Sequence, residues 1–252
     1  MLPLIILAGG YGTRLSEYTS IIPKPMVPVG NKPILIHLIN YYSKFDVEEV
    51  FIALGYKKNI IIDFFKKNSS LFIKDNTNKY SCYLNFKNKK IKINLVDTGI
   101  NTMTGGRVKR VLKYINSDIF LLTYGDGLAN VDIKKLINFH LKNKCYMTLT
   151  AVRPPARFGY VKLNRNKVIK FREKSQIDIG WINGGFFVLN KKISNLIKDD
   201  TTYLEKEPME ILAKKNKLYA FKHNGFWQCM DTKRDKELLD SLFKEKKMPW
   251  LK

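Results

Sequence analysis

Short apolar runs rich in valine, isoleucine and phenylalanine alternate with helix-period segments along this chain. That alternation predicts strands joined by crossover helices in a mixed, mainly parallel sheet. Leu4 to Ala8, Val50 to Leu54, Ile91 to Val96, Ile119 to Thr123 and Met147 to Val152 read as strands. Helices are expected from about Pro33, Lys58, Gly105 and Ile133, and Pro33 suits a first helical turn, where its missing N–H costs nothing. The second half changes texture. Val161 to Leu163, Val168 to Phe171, Phe186 to Leu189 and Leu218 to Phe221 read as shorter strands between turns, with helices from about Pro208 and Lys233. The expected fold class is α/β, a Rossmann-like sheet flanked by helices. Residues 66–90 are polar and asparagine-rich, with Tyr80, Tyr83 and Phe86 at no steady period, and read as an insertion, either a mobile loop or an oligomer contact.

A length of 252 residues with 45% hydrophobic positions fits one globular domain spanning 1–252 and argues against global disorder. The formal net charge of +23 raises the question of a nucleic-acid partner. The lysines are scattered among asparagine and isoleucine with no basic tail or block, so no nucleic-acid partner is expected, although the overall field suits small anionic substrates. Cys82, Cys145 and Cys229 are odd in number and show no paired spacing, which points away from a disulfide framework or a zinc site and towards a reducing, cytoplasmic setting. The N-terminal apolar run is only a strand long and lacks a basic leader, so it does not read as a signal peptide. No stretch is long enough to span a membrane, so no membrane partner is expected.

The first strand runs directly into Gly9-Gly10-Tyr11-Gly12-Thr13-Arg14, with Lys24 following between Pro23 and Pro25. Glycines let the backbone approach a ligand and turn its N–H groups inward, so this is a candidate polyphosphate cradle with two cations behind it. Its spacing is neither that of a dinucleotide fingerprint, since Leu15 stands where the third glycine belongs, nor that of a P-loop. In open sheets ligands bind at the carboxyl ends of strands, which puts the loops after Ala8 and Thr123 on one rim.

Three further groups of residues have a chemical and a plain reading. Asp126 in Tyr124-Gly125-Asp126-Gly127 is either a Mg²⁺ ligand at a strand end or a turn aspartate. Asp231, before a helix, is either its partner ligand or an N-cap. Thr102 and Gly105-Gly106-Arg107, after Asp97-Thr98-Gly99, offer hydroxyl, N–H and guanidinium groups to a base and phosphates, or simply cap a helix. Lys174 is on composition alone one more solvated lysine. His37, His140 and His223 are isolated and read as structural or exposed.

Taken in order, Leu7 to Leu15 and Pro23 to Met26 resemble the sugar-phosphate nucleotidyltransferase family, whose signature is Leu-Ala-Gly-Gly-x-Gly-Thr-Arg-Leu followed by Pro-Lys-Pro-Met. Within it, the motifs Met103 to Arg107, Tyr124 to Gly127, Ile182 to Phe187 and Gly225 to Gln228 are most similar to the members that act on CTP and glucose 1-phosphate. The resemblance covers nearly the whole chain and implies a nucleotidyltransferase fold of GT-A-like kind. It implies that Leu7, Ala8, Gly9, Gly10, Tyr11, Gly12, Thr13, Arg14 and Lys24, with Thr102, Arg107 and Gly125, bind CTP. It further implies that Asp126 and Asp231 hold Mg²⁺, that Lys174, Asn183 and Gly184 bind the sugar 1-phosphate, and that Arg14, Lys24, Asp126 and Asp231 carry catalysis.

Departures from the family pattern cluster toward the sugar, where Ser175, Ile177 and Ile179 replace Pro and two Gly of Glu-Lys-Pro-x-Gly-Asp-Gly, and Leu204 replaces a tryptophan. The implied reaction is transfer of CMP to a sugar 1-phosphate in a homo-oligomeric enzyme of surface-polysaccharide synthesis. Use of UTP, dTTP or another sugar phosphate, a catalytically silent nucleotide sensor of the same fold, and, with no supporting motif, a nucleic-acid-binding protein stand as alternatives.

Overall fold

The computed structural model describes residues 2–77, 79–86, 89–155, 159–173 and 180–251. Strand β1 (Leu4–Ala8) is buried along its whole length, as a run of five apolar residues in the middle of a sheet must be. Behind it follow a one-turn helix α1 (Ser16–Thr19), a small hairpin β2 (Pro28–Val29) and β3 (Lys32–Pro33), and helix α2 (Ile34–Ser43). Pro33 lies just outside α2, with an extended backbone, and not within its first turn. Then come β4 (Glu49–Leu54), α3 (Lys58–Asn68), β5 (Ser70–Lys74), β6 (Lys79–Phe86), β7 (Lys89–Asp97) and α4 (Thr104–Val111). The order continues with β8 (Ile119–Tyr124), β9 (Gly127–Ala129), α5 (Ile133–Asn143) and β10 (Met147–Val152). The last third holds the hairpin β11 (Tyr160–Asn164) and β12 (Lys167–Arg172), then β13 (Ile182–Asn183), β14 (Phe187–Asn190), α6 (Glu207–Lys214), β15 (Leu218–His223), β16 (Trp227–Cys229) and α7 (Lys233–Lys244).

The main sheet runs β13-β10-β14-β8-β1-β4-β7-β6-β5, with β15 also pairing β10. Its centre is parallel: β1 pairs with β4 and β8, and β4 with β7. Strands on either side are antiparallel, β14 against β8 and β6 against β7. Alternate side chains of β1 enter opposite layers, Leu4 and Ile6 packing on one face and Ile5 and Leu7 on the other. Helices cover both faces, so the expected mixed, mainly parallel α/β sheet is what the chain forms.

Segment 66–90 differs in texture from its sequence reading. The end of α3 and strands β5 and β6 account for most of it, and β6 pairs with β7 from Lys79↔Val96 to Phe86↔Lys89. The inward positions Cys82 and Leu84 alternate with more exposed neighbours, so a period of two is present. Tyr83, on the other face, breaks that alternation when it is read from the sequence.

Candidate active site

The parallel strands β1, β4, β7 and β8 all point their carboxyl ends at one rim, where a cavity of about 580 Å³ opens. Leu7 to Gly12 form one wall. Gly12 takes a left-handed backbone, φ 67°, which turns the chain into the 3₁₀ turn Thr13–Leu15 and favours glycine. Gly9 leaves no room for a side chain: a Cβ there would come within 2.2 Å of the Arg107 guanidinium. Arg14 and Gly12 line the cavity, whereas exposed Thr13 lies outside its wall. Tyr11, 47% exposed, rests on Tyr56 with ring centroids 5.0 Å apart, and its hydroxyl donates to Asn101 Oδ1 at 3.3 Å.

Arg107 lines the cavity but spends its guanidinium on the protein. Nη1 donates to Leu54 O at 2.9 Å, Thr98 Oγ1 at 2.7 Å and Gly99 O at 2.7 Å, while Nη2 donates to Gly9 O at 3.0 Å and Ile100 O at 3.2 Å. The side chain ties together the ends of β1, β4 and β7. Burial pushes its pKa down to about 10, so it stays charged at neutral pH. The geometry makes it a clamp that shapes the glycine loop. Thr102, also buried, lines the same cavity.

Lys24 lies in a 3₁₀ turn, 7% exposed, and its Nζ donates to Asp126 Oδ2 at 2.6 Å and to Asp231 Oδ1 at 2.5 Å. Arg14 Nη1 reaches the other oxygen of Asp231 at 2.6 Å. Burial alone would pull the Lys24 pKa down; Asp126 and Asp231 outweigh it, and the net shift is upward. The two aspartates meet because β9 pairs with β16, Gly127 opposite Cys229, and Met230 N–H donates to Asp126 O at 2.8 Å. Capping of α7 falls to Thr232 with Asp235 in a reciprocal capping box, which leaves the Asp231 carboxylate to Lys24 and Arg14. Burial, reinforced by Asp231 and Asp126, lifts the neighbouring Cys229 thiol to about 12, so it is protonated at neutral pH.

Gly125, Asn183 and Gly184 line the same cavity. Lys174 lies outside the described residues. The sequence assigned no role of their own to Tyr124, Glu205 and Trp227. Trp227 Nε1 donates to Gly184 O at 2.7 Å, and Tyr124 donates to Glu205 Oε1 at 2.8 Å. Burial, then Glu205, holds the Tyr124 phenol well above its ordinary pKa. Tyr124 and Trp227 belong to motifs already singled out and Glu205 follows the Leu204 departure, but none stands out by residue type. The three histidines lie outside this cavity. His37, for one, is a buried structural group, bonded to Val29 O and accepting from Trp250 Nε1.

The profile of the nucleotidyl transferase family matches residues 4–235. The chain is 46% identical over 251 residues to glucose-1-phosphate cytidylyltransferase of Salmonella typhimurium, covering 98% of this chain and 97% of that protein. It is 37% identical over 251 residues to the probable glucose-1-phosphate cytidylyltransferase of Bacillus subtilis, covering 98% of each. Among solved structures, HddC from Yersinia pseudotuberculosis superposes with a TM-score of 0.71 at 28% identity, over 96% of this chain and all of that one (100%). With a glycine-walled cavity at the carboxyl rim, two carboxylates converging on a buried lysine, and these likenesses along nearly its whole length, the chain belongs to the nucleotidyl transferase family.

Proposed function

We propose that this enzyme is a glucose-1-phosphate cytidylyltransferase, transferring CMP from CTP to glucose 1-phosphate with release of CDP-glucose and pyrophosphate. The observation that carries the reaction type is the meeting of Lys24, Arg14, Asp126 and Asp231 at the mouth of the glycine loop. The near-full-length identity to the cytidylyltransferases supports the choice of substrates.

An oxygen of the sugar 1-phosphate attacks the α-phosphorus of CTP. The new P–O bond forms as the bond to the β-phosphate's bridging oxygen breaks, and pyrophosphate leaves with that electron pair. The second pKa of a phosphate monoester is roughly 6, so the nucleophile is already anionic and no general base is needed. The protein's task is to bring two anions together and hold them in line. An ammonium has three donors, and two of those on Lys24 are engaged by carboxylates, leaving one for a substrate phosphate.

The two cations and two carboxylates of this cluster sum to no net charge, so a triphosphate placed here calls for a further cation. The donor set fits Mg²⁺, which takes hard oxygens, keeps one or two carboxylates and completes its shell with substrate phosphates. Asp126 and Asp231 would hold it, and it would supply neutralisation of the triphosphate charge. Backbone groups of Leu7 to Gly12, with Thr102 and Gly125, would receive the nucleotide; Asn183, Gly184 and Lys174 would receive the sugar phosphate.

The reading includes a homo-oligomer, supported by the apolar side chains of Leu71 and Ile73, 62% and 60% exposed on edge strand β5. It also includes a reducing, cytoplasmic setting, supported by three unpaired cysteines, and a place in nucleotide-sugar supply for surface polysaccharide. Among the described residues no helix is long and apolar enough to cross a membrane. The test is pyrophosphate release across four nucleoside triphosphates and a panel of sugar 1-phosphates. CTP with glucose 1-phosphate is expected to have the highest kcat/KM; a different pair preferred by about tenfold would overturn the assignment.

A further inference from the structure

Tyr124 stands at the end of β8, and its hydroxyl is the middle of a hydrogen-bonded chain that joins the cavity-lining residues Thr104 and Asn183 through Glu205. It donates to Glu205 Oε1 at 2.8 Å and accepts from Asn183 Nδ2 at 3.2 Å. The second oxygen of Glu205 accepts from Thr104 Oγ1 at 2.5 Å, and Thr104 Oγ1 accepts from the Leu204 N–H at 2.9 Å. Asn183 Oδ1 accepts from the Gly185 N–H at 3.0 Å.

The directions in this chain are fixed from both ends, by the Glu205 carboxylate and by the Gly185 N–H, which can only donate. An ionised carboxylate only accepts, so both hydroxyls that meet Glu205 must spend their single proton on it. The Tyr124 oxygen is then left as an acceptor, and the group Asn183 offers it must be its amide nitrogen. The Asn183 carbonyl goes to Gly185, and one amide N–H remains for the cavity, on a residue that is itself solvent-exposed. We infer that Glu205 and Tyr124 are positioning residues for the sugar phosphate: with the Gly185 N–H they set Asn183 as a hydrogen-bond donor, so the site accepts a sugar oxygen there and discriminates against a sugar lacking it. This inference rests on the transferase reading above and adds to it the polarity of the sugar contact. The relay also links α4, through Thr104 at its first residue, to the sugar side of the cavity.

The test uses the full-length enzyme with glucose 1-phosphate and its monodeoxy and deoxyfluoro analogues, read as KM and kcat for sugar and CTP separately. Fluorine accepts weakly and cannot donate. In the wild type, the deoxy analogue lacking the hydroxyl that Asn183 serves is expected to lose about tenfold in kcat/KM, and its fluoro counterpart about threefold or less. In Glu205→Gln, whose amide no longer dictates direction, and in Tyr124→Phe, the KM for glucose 1-phosphate is expected to rise about tenfold, with that for CTP within about twofold. The gap between deoxy and fluoro analogues closes in both, and the double variant is no worse than either single one. An unchanged gap in Glu205→Gln, an equal rise in both KM values, or additive losses would overturn the inference. If Glu205→Gln does not fold, as shown by urea unfolding, Tyr124→Phe reads the same gap. A wild type that turns over no sugar 1-phosphate overturns the transferase reading itself, and the inference with it, a result distinct from an active wild type whose variants show no split.

Discussion

Asp126 and Asp231 meet on one ammonium, that of Lys24, at 2.6 and 2.5 Å. They come from the middle and the last part of the chain and are joined by the short β9/β16 ladder. The pair defines where charge is managed in this enzyme, and removing either member leaves a buried cation with half its partners.

Asp126→Ala is therefore expected to lower kcat for pyrophosphate release by about a hundredfold or more, and Asp231→Asn by a similar factor. Titrating Mg²⁺ at fixed CTP and glucose 1-phosphate is the measurement. Near-normal turnover with an unchanged magnesium requirement in either variant would remove these residues from the metal assignment. Chelation with EDTA should silence the wild type, and added Mg²⁺ should restore it.

Arg107 serves the scaffold before it serves the substrate. Arg107→Ala strands the carbonyls of Gly99 and Ile100, each an acceptor that costs about 1–3 kcal/mol when buried and unpaired, whereas Gly9 O keeps the Tyr56 N–H and Leu54 O keeps the Thr98 N–H and hydroxyl. Relaxation and water will recover part of that, so a loss of about 3 kcal/mol in urea unfolding is expected. Arg107→Lys should recover little of it, because one ammonium cannot span five acceptors on three strand ends. A variant as stable as wild type but weak for CTP would instead make Arg107 a direct ligand.

Trp227 fixes the sugar-side backbone through its bond to Gly184 O. Trp227→Phe keeps an aromatic ring, though a smaller one, and drops the donor, whose hydrogen bond is worth about 1 kcal/mol. The KM for the sugar phosphate should rise about fivefold while that for CTP stays within about twofold. Steady-state kinetics with each substrate varied in turn gives the answer, and a matching rise for both would place Trp227 elsewhere in the mechanism.

His140 is buried, and desolvation holds its pKa down at about 4 against an ordinary 6.5. The unfolded chain thus binds a proton below pH 6.5 that the folded chain refuses until about pH 4. Stability is unaffected above that window and falls as the pH drops through it, by up to roughly 3 kcal/mol. Burial lowers His37 and His223 as well, so they act in the same direction. Urea unfolding at pH 7 and pH 4.5 should show the loss, reduced in His140→Gln; an equal loss in that variant would assign the acid sensitivity to other groups.

Most strands and helices were legible because each leaves a local mark. Five buried apolar residues in a row mark β1, and the glycines after it mark a turn that approaches a ligand. Segment 66–90 was not legible as β5 and β6, because its alternation of Cys82 and Leu84 is blurred by Tyr83 on the opposite face. The functional motifs, read in order, were enough to identify the family and most residues of the cavity wall.

What the sequence determined by itself was the list of chemical groups and the loops that carry them, since both depend on neighbours a few positions apart. Only the tertiary structure decided which groups meet. It brought Asp126 to Asp231 through a two-strand ladder, and gave capping of α7 to Thr232 so that Asp231 stayed with Lys24 and Arg14. It also turned the guanidinium of Arg107 onto backbone carbonyls and joined Glu205 to Tyr124. Those contacts link residues far apart in the chain, and their geometry comes from the order of strands in the sheet, a property of the packed core that no local pattern contains.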